Sequence, residues 1–214
     1  MSLDLGLKAI NLASELGAAY SDIRIGEVHD QRIQVKDGSV FVAQTVRTKG
    51  FGIRTLIDGA WGFAGSIDLK RDEVEEVTRK AIKIARASAR VRKRDVKLVP
   101  SKPVTGHYET PVEKDPFKVP MDDIIELLMQ AERTVSEQSP LIKTSSASFR
   151  AYQDKKLLLT SEGAKIEQKI KWCGGLMECV ALRSGETQPR RYPDRRGRYC
   201  AAGYEHFNPS TSPA

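Results

Sequence analysis

The sequence predicts an α+β protein of two modules, each a helix plus an antiparallel β-meander. Three observations carry that prediction. Apolar residues recur at helical spacing in three places, alternating apolar and polar runs lie between them, and turn dipeptides such as Asp37-Gly38 and Asp58-Gly59 separate those runs. Short turns join antiparallel neighbours, because parallel strands need crossovers of about a dozen residues or more.

The first helix is marked by Ser2 as N-cap, Leu5, Ala9, Leu12 and Leu16 on one stripe, and Gly17 as the stop. The period then changes. Ile23 and Ile25 alternate with Asp22 and Arg24, and Ile33 and Val35 continue the alternation to Asp37-Gly38, a dipeptide tolerant of positive φ. SVFVAQTVRT follows as a strand ending at Lys49-Gly50, where the glycines of Gly50-Phe51-Gly52 predict a hairpin. FGIRTLI, a turn at Asp58-Gly59 and AWGFAGS complete the first meander. A second helix is expected from an N-cap at Asp68 to about Arg90, with Val74, Val77, Ala81 and Ile84 as its apolar stripe. Its acidic residues come early and its basic residues late, the sense favoured by the helix dipole.

Periodicity is lost over residues 91 to 119, where Pro100, Pro103, Pro111 and Pro116 predict a linker. The expected organisation is a first module over 1–95, a linker over 96–119, a central module over 120–188, and a basic, glycine-containing segment with a disordered tail over 189–214. The central module opens with a first-turn Pro120 and a helical stripe from Met121 to Val135. Its meander is expected to turn at Asp154-Lys155, Ser161-Glu162-Gly163, Gly174-Gly175 and Ser184-Gly185. Gly38 and Gly163, like Gly50 and Gly175, stand 125 residues apart, a spacing that fits a diverged tandem duplication or the chance coincidence of two meanders.

At 214 residues the chain is long enough to bury roughly 70% of its unfolded surface. No apolar run approaches the roughly 20 residues needed to cross a bilayer, and the start MSLDLGLKAI lacks a secretory pattern. No membrane association is expected. Three cysteines without C-x-x-C spacing indicate neither a disulfide framework nor a zinc knuckle, and fit a reducing cytoplasm. The net charge of +7 sits in two stretches, RVRKRDVK and RRYPDRRGR, each of net +4, which leaves −1 for the rest. Neither stretch has the aromatic interleaving of a single-strand binding surface, so solvated linker charge is the first reading and a nucleic-acid-binding module the alternative.

The residues that could carry chemistry do not assemble into a site along the sequence. His29 is read as a surface turn residue, His107 as solvated in the proline-rich linker, and His206 as an incidental neighbour of Glu205. Cys173 and Cys179 flank the expected turn at Gly174-Gly175 with no histidine near in sequence to serve as base, and Cys200 stands alone. Ser161 precedes a turn and a strand, unlike a nucleophile elbow. No catalytic and no metal-binding residue is assigned, and the substrate-binding residues are left unassigned.

Three stretches together resemble the TldD/PmbA family. DGSVFVAQTVRTKGFGIRTLIDGAWGFAGSIDLKRDEVEEVTRKAIKIA is similar to its N-terminal module, KKLLLTSEGAKIEQKI to its central module, and AAGYEHF to the Gly-Tyr-Glu segment of the TldD branch. Members were once called modulators of DNA gyrase and are regarded as zinc metallopeptidases. The resemblance implies a scaffold around a peptide-holding cavity. It also implies peptide or unfolded protein as substrate, and a PmbA/TldE-like partner or a homo-oligomer. In the TldD branch an H-E-x-x-x-H helix and a later cysteine supply the metal ligands after the Gly-Tyr-Glu segment. No residue of this sequence matches those positions; His206 and Cys200 are not among them. Zinc is therefore expected in the full-length family member and no cofactor in this chain. The expectation is of a scaffold and assembly portion, truncated before the metal site and inactive alone.

Overall fold

The computed structural model describes residues 3–207. The expected N-cap Ser2 and the tail after Phe207 lie outside the described residues. Three helices, α1 (Leu3–Glu15), α2 (Arg71–Val91) and α3 (Met121–Ser136), accompany eight strands. These are β1 (Tyr20–Lys36), β2 (Ser39–Ile57), β3 (Ala60–Ser66), β4 (Thr105–Glu109), β5 (Ile142–Thr160), β6 (Lys165–Arg183), β7 (Glu186–Tyr192) and β8 (Arg198–Cys200). The α+β class and the helix-plus-meander plan are as expected. A helix, two long strands and a short one recur in that order, with strands of 17, 19 and 7 residues after α1 and of 19, 19 and 7 after α3.

The strands form one sheet in the order β3-β2-β1-β5-β6-β4, with β7 and β8 also pairing with β6. Turns with positive φ at Asp37-Gly38, Asp58-Gly59, Gly163 and Ser184-Gly185 close the hairpins where the sequence placed them. Three other expected turns are absent, because β2 runs unbroken through Lys49-Gly50-Phe51-Gly52, β5 through Asp154-Lys155 and β6 through Gly174-Gly175. These glycines admit close backbone neighbours instead of bends. A Cβ on Gly50 would lie 2.9 Å from the Ser66 carbonyl, and one on Gly174 would lie 1.9 Å from that of Arg198. The stretch over 96–119, read as a linker, holds β4 and a 3₁₀ turn at Pro116–Lys118. Part of the basic segment after residue 188 is strand, since β7 pairs with β6 from Arg183↔Glu186 to Met177↔Tyr192 and β8 pairs with β6 at Arg198 to Cys200. No helix among the described residues is long and apolar enough to cross a membrane.

Two compact units arise, and each draws on three separated stretches of chain. Unit 1 takes Met1–Val28, Thr48–Tyr108 and Asp154–Lys169. Its core joins Ala9, Ile10 and Ala13 of α1, Ile23 and Ile25 of β1, Phe51, Ile53 and Ile57 of β2, Val74 to Ala85 of α2, and Leu157 and Leu159 of β5. The helical stripe and the strand alternation meet here, which is what their two periods require. Gly62 of β3 lets α2 settle directly on the strand, for a Cβ there would stand 2.0 Å from the Ala81 carbonyl. Lys70, not Asp68, is the N-cap of α2; the Asp68 carboxylate instead accepts the Lys70 backbone N–H at 3.2 Å.

Unit 2 takes His29–Arg47, Glu109–Gln153 and Ile170–Ala214. Ile33, Val35, Ile124, Leu128, Ala147, Phe149, Ala151, Cys173 and Tyr204 form its core. The Asp37 carboxylate at the β1–β2 turn accepts the Ser145 backbone N–H at 2.9 Å and the Thr144 hydroxyl at 3.1 Å. Buried Glu132 of α3 accepts a hydrogen bond from the Ser145 hydroxyl. On the outer side of β2, β3 pairs only from Phe51 onward. Residues Ser39 to Arg47 therefore have no strand on that side among the described residues. Val40, Phe41 and Val46 are exposed along it, with Phe41 at 66%.

Candidate functional site

On the face of unit 2 turned away from its core, alternation brings together side chains that sequence spacing does not connect. Phe149 and Ala151 point inward, so Arg150 and Tyr152 point outward. Lys171 and Cys173 point inward on β6, so Trp172 points outward beside them. The Tyr152 and Trp172 rings stack with centroids 5.1 Å apart, and Tyr199 of β8 meets Trp172 edge-on at 5.5 Å. The Arg150 guanidinium lies 5.1 Å from the Trp172 ring centroid and 5.8 Å from that of Tyr152. It is held by Asp30 through two bonds of 2.9 Å, and Arg32 reaches the same carboxylate at 2.8 Å. Hydrogen bonding to Arg150 holds the Asp30 carboxyl below the usual carboxylate range and raises Arg150 in turn. Unit 1 carries a similar grouping. Arg54 is bound to buried Asp22 at 2.6 and 2.8 Å, the Trp61 ring lies 4.9 Å from its guanidinium, and Tyr20 is edge-on to Trp61.

The Gly203-Tyr204-Glu205 turn docks on the loop before α3. One Glu205 oxygen accepts the Gly203 N–H at 2.7 Å and the other the Lys114 N–H at 2.8 Å, while the Tyr204 N–H donates to the Lys114 carbonyl at 2.7 Å. Burial works against ionisation of Glu205, but these backbone donors outweigh it and leave its carboxyl below the ordinary range. Asp115 behaves alike: burial opposes its charge, and buried Lys171 at 2.6 Å together with the Phe117 N–H lowers it nonetheless. Two cavities adjoin this region. One of about 610 Å³ is lined by the 109–119 loop and Lys171; the other, of about 270 Å³, lies between Leu127, Leu128 and Ala131 of α3, Leu176 and Met177 of β6, and Phe207.

The structure relocates several residues singled out in the sequence. His29 is not a surface turn residue. It lies buried inside β1, stacked on Phe117 at 3.9 Å, and its Nε2 accepts the Arg47 Nε–H at 3.2 Å. The strand runs on through His29-Asp30 where a turn was expected. His107 is exposed on β4, with Nδ1 3.8 Å from a Glu167 oxygen. His206 borders the smaller cavity, and its Nε2 is buried with no hydrogen-bond partner among the described residues. Ser161 ties the β5–β6 turn to β1, its hydroxyl accepting the Ser21 N–H at 3.0 Å and its own N–H donating to the Ser21 carbonyl at 2.8 Å. Cys173 is buried and donates its S–H to the Gly203 carbonyl at 3.1 Å; burial pushes its thiol up to about 12.

These groups are arranged to hold and not to transfer protons. Asp30, Asp115 and Glu205 stay ionised at neutral pH, so none is poised as a general acid. The Cys173 thiol stays protonated at neutral pH, which makes it a slow nucleophile and a poor metal ligand. No group of three or more His, Cys, Asp or Glu residues among the described residues could hold a metal ion. Zinc does not fit the donors present.

Comparison with known proteins locates the chain. Residues 21–85 match the profile of PmbA/TldA metallopeptidase domain 1, and residues 114–206 that of the PmbA/TldA metallopeptidase central domain. A metalloprotease of Methanocaldococcus jannaschii is 28% identical over 184 residues, covering 86% of this chain and 40% of the relative. A metalloprotease of Methanothermobacter thermautotrophicus is 28% identical over 148 residues, 69% of this chain and 31% of its own length. The chain thus spans well under half the length of these relatives. Among solved structures, a protein from Bacteroides thetaiotaomicron described as a modulator of DNA gyrase shares the fold at TM-score 0.76 and 18% identity, covering 92% of this chain and 44% of that one. TldE from Thermococcus kodakarensis superposes at TM-score 0.69 and 17% identity, over 92% of this chain and 42% of its own.

Proposed function

Because the chain belongs to the PmbA/TldD metallopeptidase family, we propose that it is the peptide-holding scaffold and assembly portion of a proteolytic enzyme. The observation that carries this reading is the uncovered side of β2 over Ser39 to Arg47, with β3 starting only opposite Phe51. A bare strand edge offers alternating N–H and C=O groups to an extended chain, and main-chain bonding of that kind selects little sequence. Alternation of Val40, Val42 and Val46 with Phe41 and Ala43 gives both faces of such a pairing apolar contacts. Hydrolysis belongs, in this reading, to residues outside this chain, and assembly is with a PmbA/TldE-like subunit or a second copy. A cytoplasmic setting is part of the same reading.

The test is binding of a fluorescein-labelled, unstructured peptide by anisotropy, with Ala43→Pro and Gln44→Pro as probes. Adjacent N–H groups of a strand point to opposite sides, so one proline faces β1 and the other faces outward. One variant should lose a ladder hydrogen bond and with it about 1–3 kcal/mol of stability. The other should keep its unfolding midpoint and bind peptide at least tenfold more weakly. Undiminished binding by the stable variant sinks the proposal, as does a parent protein that binds oligonucleotides with steep salt dependence and ignores peptides.

A further inference from the structure

Cys173 and Cys200 are direct partners across the antiparallel pair formed by β6 and β8. They stand 27 positions apart in a chain of three cysteines, and nothing in their spacing announces the meeting. Directly opposed residues of an antiparallel pair send their side chains to the same face, with Cα atoms about 4.5–5.5 Å apart and Cβ atoms about 4.5–5.5 Å apart. A disulfide needs Cα atoms at about 4.4–6.8 Å and Cβ atoms at about 3.5–4.5 Å, so the backbone already satisfies the first condition and a closing movement of about 1 Å meets the second. Both thiols are free. Gly174, next to Cys173, brings the two strands unusually close, since its missing Cβ would overlap the Arg198 carbonyl.

We propose that Cys173 and Cys200 form a thiol-oxidation site that closes to a cross-strand disulfide on reaction with a peroxide. This inference is independent of the peptide-holding reading. Cys200 is half-buried and Cys173 wholly buried, which sets the order of events. The peroxide O–O bond breaks as Cys200 Sγ bonds to one oxygen, giving a sulfenic acid and one water. Cys173 Sγ then attacks the Cys200 sulfur, the S–O bond breaks, and the Cys173 proton leaves with the hydroxyl as a second water. Two thiols are oxidised by two electrons and one peroxide is reduced by two, with no other reactant. The second step is the slow one, because burial keeps the Cys173 thiol protonated.

Closure has a structural consequence at the Gly203-Tyr204-Glu205 turn. The Cys173 S–H is the donor to the Gly203 carbonyl, and a disulfide sulfur has no hydrogen to give. Oxidation therefore fixes β8 to β6 and at the same time withdraws the bond that Cys173 makes to the turn. Cys179 cannot substitute for Cys173, since its direct partner is Arg190 of β7.

The experiment is treatment of the folded chain with hydrogen peroxide, followed by denaturation, maleimide labelling and intact mass. The expected result is a fall from three labelled thiols to one, with Cys179 the remaining thiol and a peptide linking Cys173 to Cys200 after digestion. C200S, a change at a half-buried position whose folding is checked by its unfolding midpoint, should lose the linkage and keep two labelled thiols; C179S should form the linkage as the parent does. Hydrogen exchange at the Gly203 to Phe207 amides should rise on oxidation of the parent and not of C200S. Peroxide products that stop at sulfenic or sulfinic acid on Cys200, a Cys179–Cys200 linkage, or three unreacted thiols in the folded chain would each overturn the proposal.

Discussion

Arg150 of β5 clasps Asp30 of β1 through Nε and Nη2 at 2.9 Å each, although 120 residues separate them in sequence. The Asp30 side chain is 14% exposed and that of Arg150 33%, so the pair is only partly screened by water. Two strands of unit 2 are thereby fixed to one another by charge as well as by their backbone pairing, and the indole of Trp172 is fixed beside them.

Asp30→Asn should lower stability by about 1–2 kcal/mol at neutral pH, the range for a hydrogen bond to a charged group that is partly exposed. Because the folded state holds the Asp30 carboxyl below its ordinary value, the unfolded chain binds the extra proton first. The pair's contribution is present above about pH 4 and fades as pH falls through the lowered value. Denaturation curves at stepped pH should show a gentler acid loss in the variant; an unchanged acid limb would show that other carboxylates control it.

Gly62→Ala puts a methyl group where only 2.0 Å separates it from the Ala81 carbonyl. Backbone cannot yield as a flexible side chain can, so α2 must lift from β3 at a cost of about 1–3 kcal/mol. Gly38→Ala, with nothing within 4 Å of the added carbon but a φ of +72°, should cost less, on the order of 1 kcal/mol. Urea midpoints of the two variants rank the effects; the reverse order would mean that turn strain outweighs helix contact.

Phe149→Ala empties the largest fully buried side chain of unit 2, which touches Tyr204 at 5.9 Å and Phe207 at 4.7 Å between ring centroids. A loss of about 3–5 kcal/mol is expected. Near-ultraviolet circular dichroism should report disordering of Tyr204 and its neighbours. Intact tyrosine signal with normal stability would mean the turn can reseat into the vacated space.

Glu205→Gln removes the charge that receives the Gly203 and Lys114 amides. An amide oxygen accepts more weakly than a carboxylate and supplies one acceptor in place of two. About 1–2 kcal/mol of local protection should be lost at those two amides, read by hydrogen exchange, while amides of unit 1 such as Ile53 keep theirs. Unaltered exchange at Lys114 would show that the Tyr204 N–H alone holds the turn.

Helices and closed hairpins were legible because their signals are local. The apolar stripes of α1, α2 and α3 and the positive-φ turns at Asp37-Gly38 and Asp58-Gly59 depend on residues a few positions apart, although in α2 Ile82 takes the core position expected for Ile84, which is exposed. Glycines inside strands were not legible, since the same residue serves a bend or a close approach and only the distant neighbour decides. Ser66 makes that choice for Gly50, and Arg198 makes it for Gly174. The arginines of β7 concealed a strand for a related reason: both faces are solvated, so no apolar alternation survives to announce it. Arg191 finds its partner in Glu178 on β6 only once the pairing exists. The Arg150, Trp172 and Asp30 grouping draws on three strands, and no window along the chain contains it. At His29 the neighbouring Asp30 suggests a turn in the sequence, whereas in the fold that aspartate is the partner of two arginines within a continuous strand.

The interleaving of the two units bears on biosynthesis. Unit 1 is incomplete until the ribosome has passed Lys169, and unit 2 closes only with residues beyond Ile170. At about 5–20 residues per second the emerging N-terminal strands wait several seconds or more for the strands that complete them. Polypeptide released or cleaved midway would present unmatched strands of both units at once. Chaperone occupancy of the nascent chain should therefore peak between the exit of Tyr108 and that of Lys169.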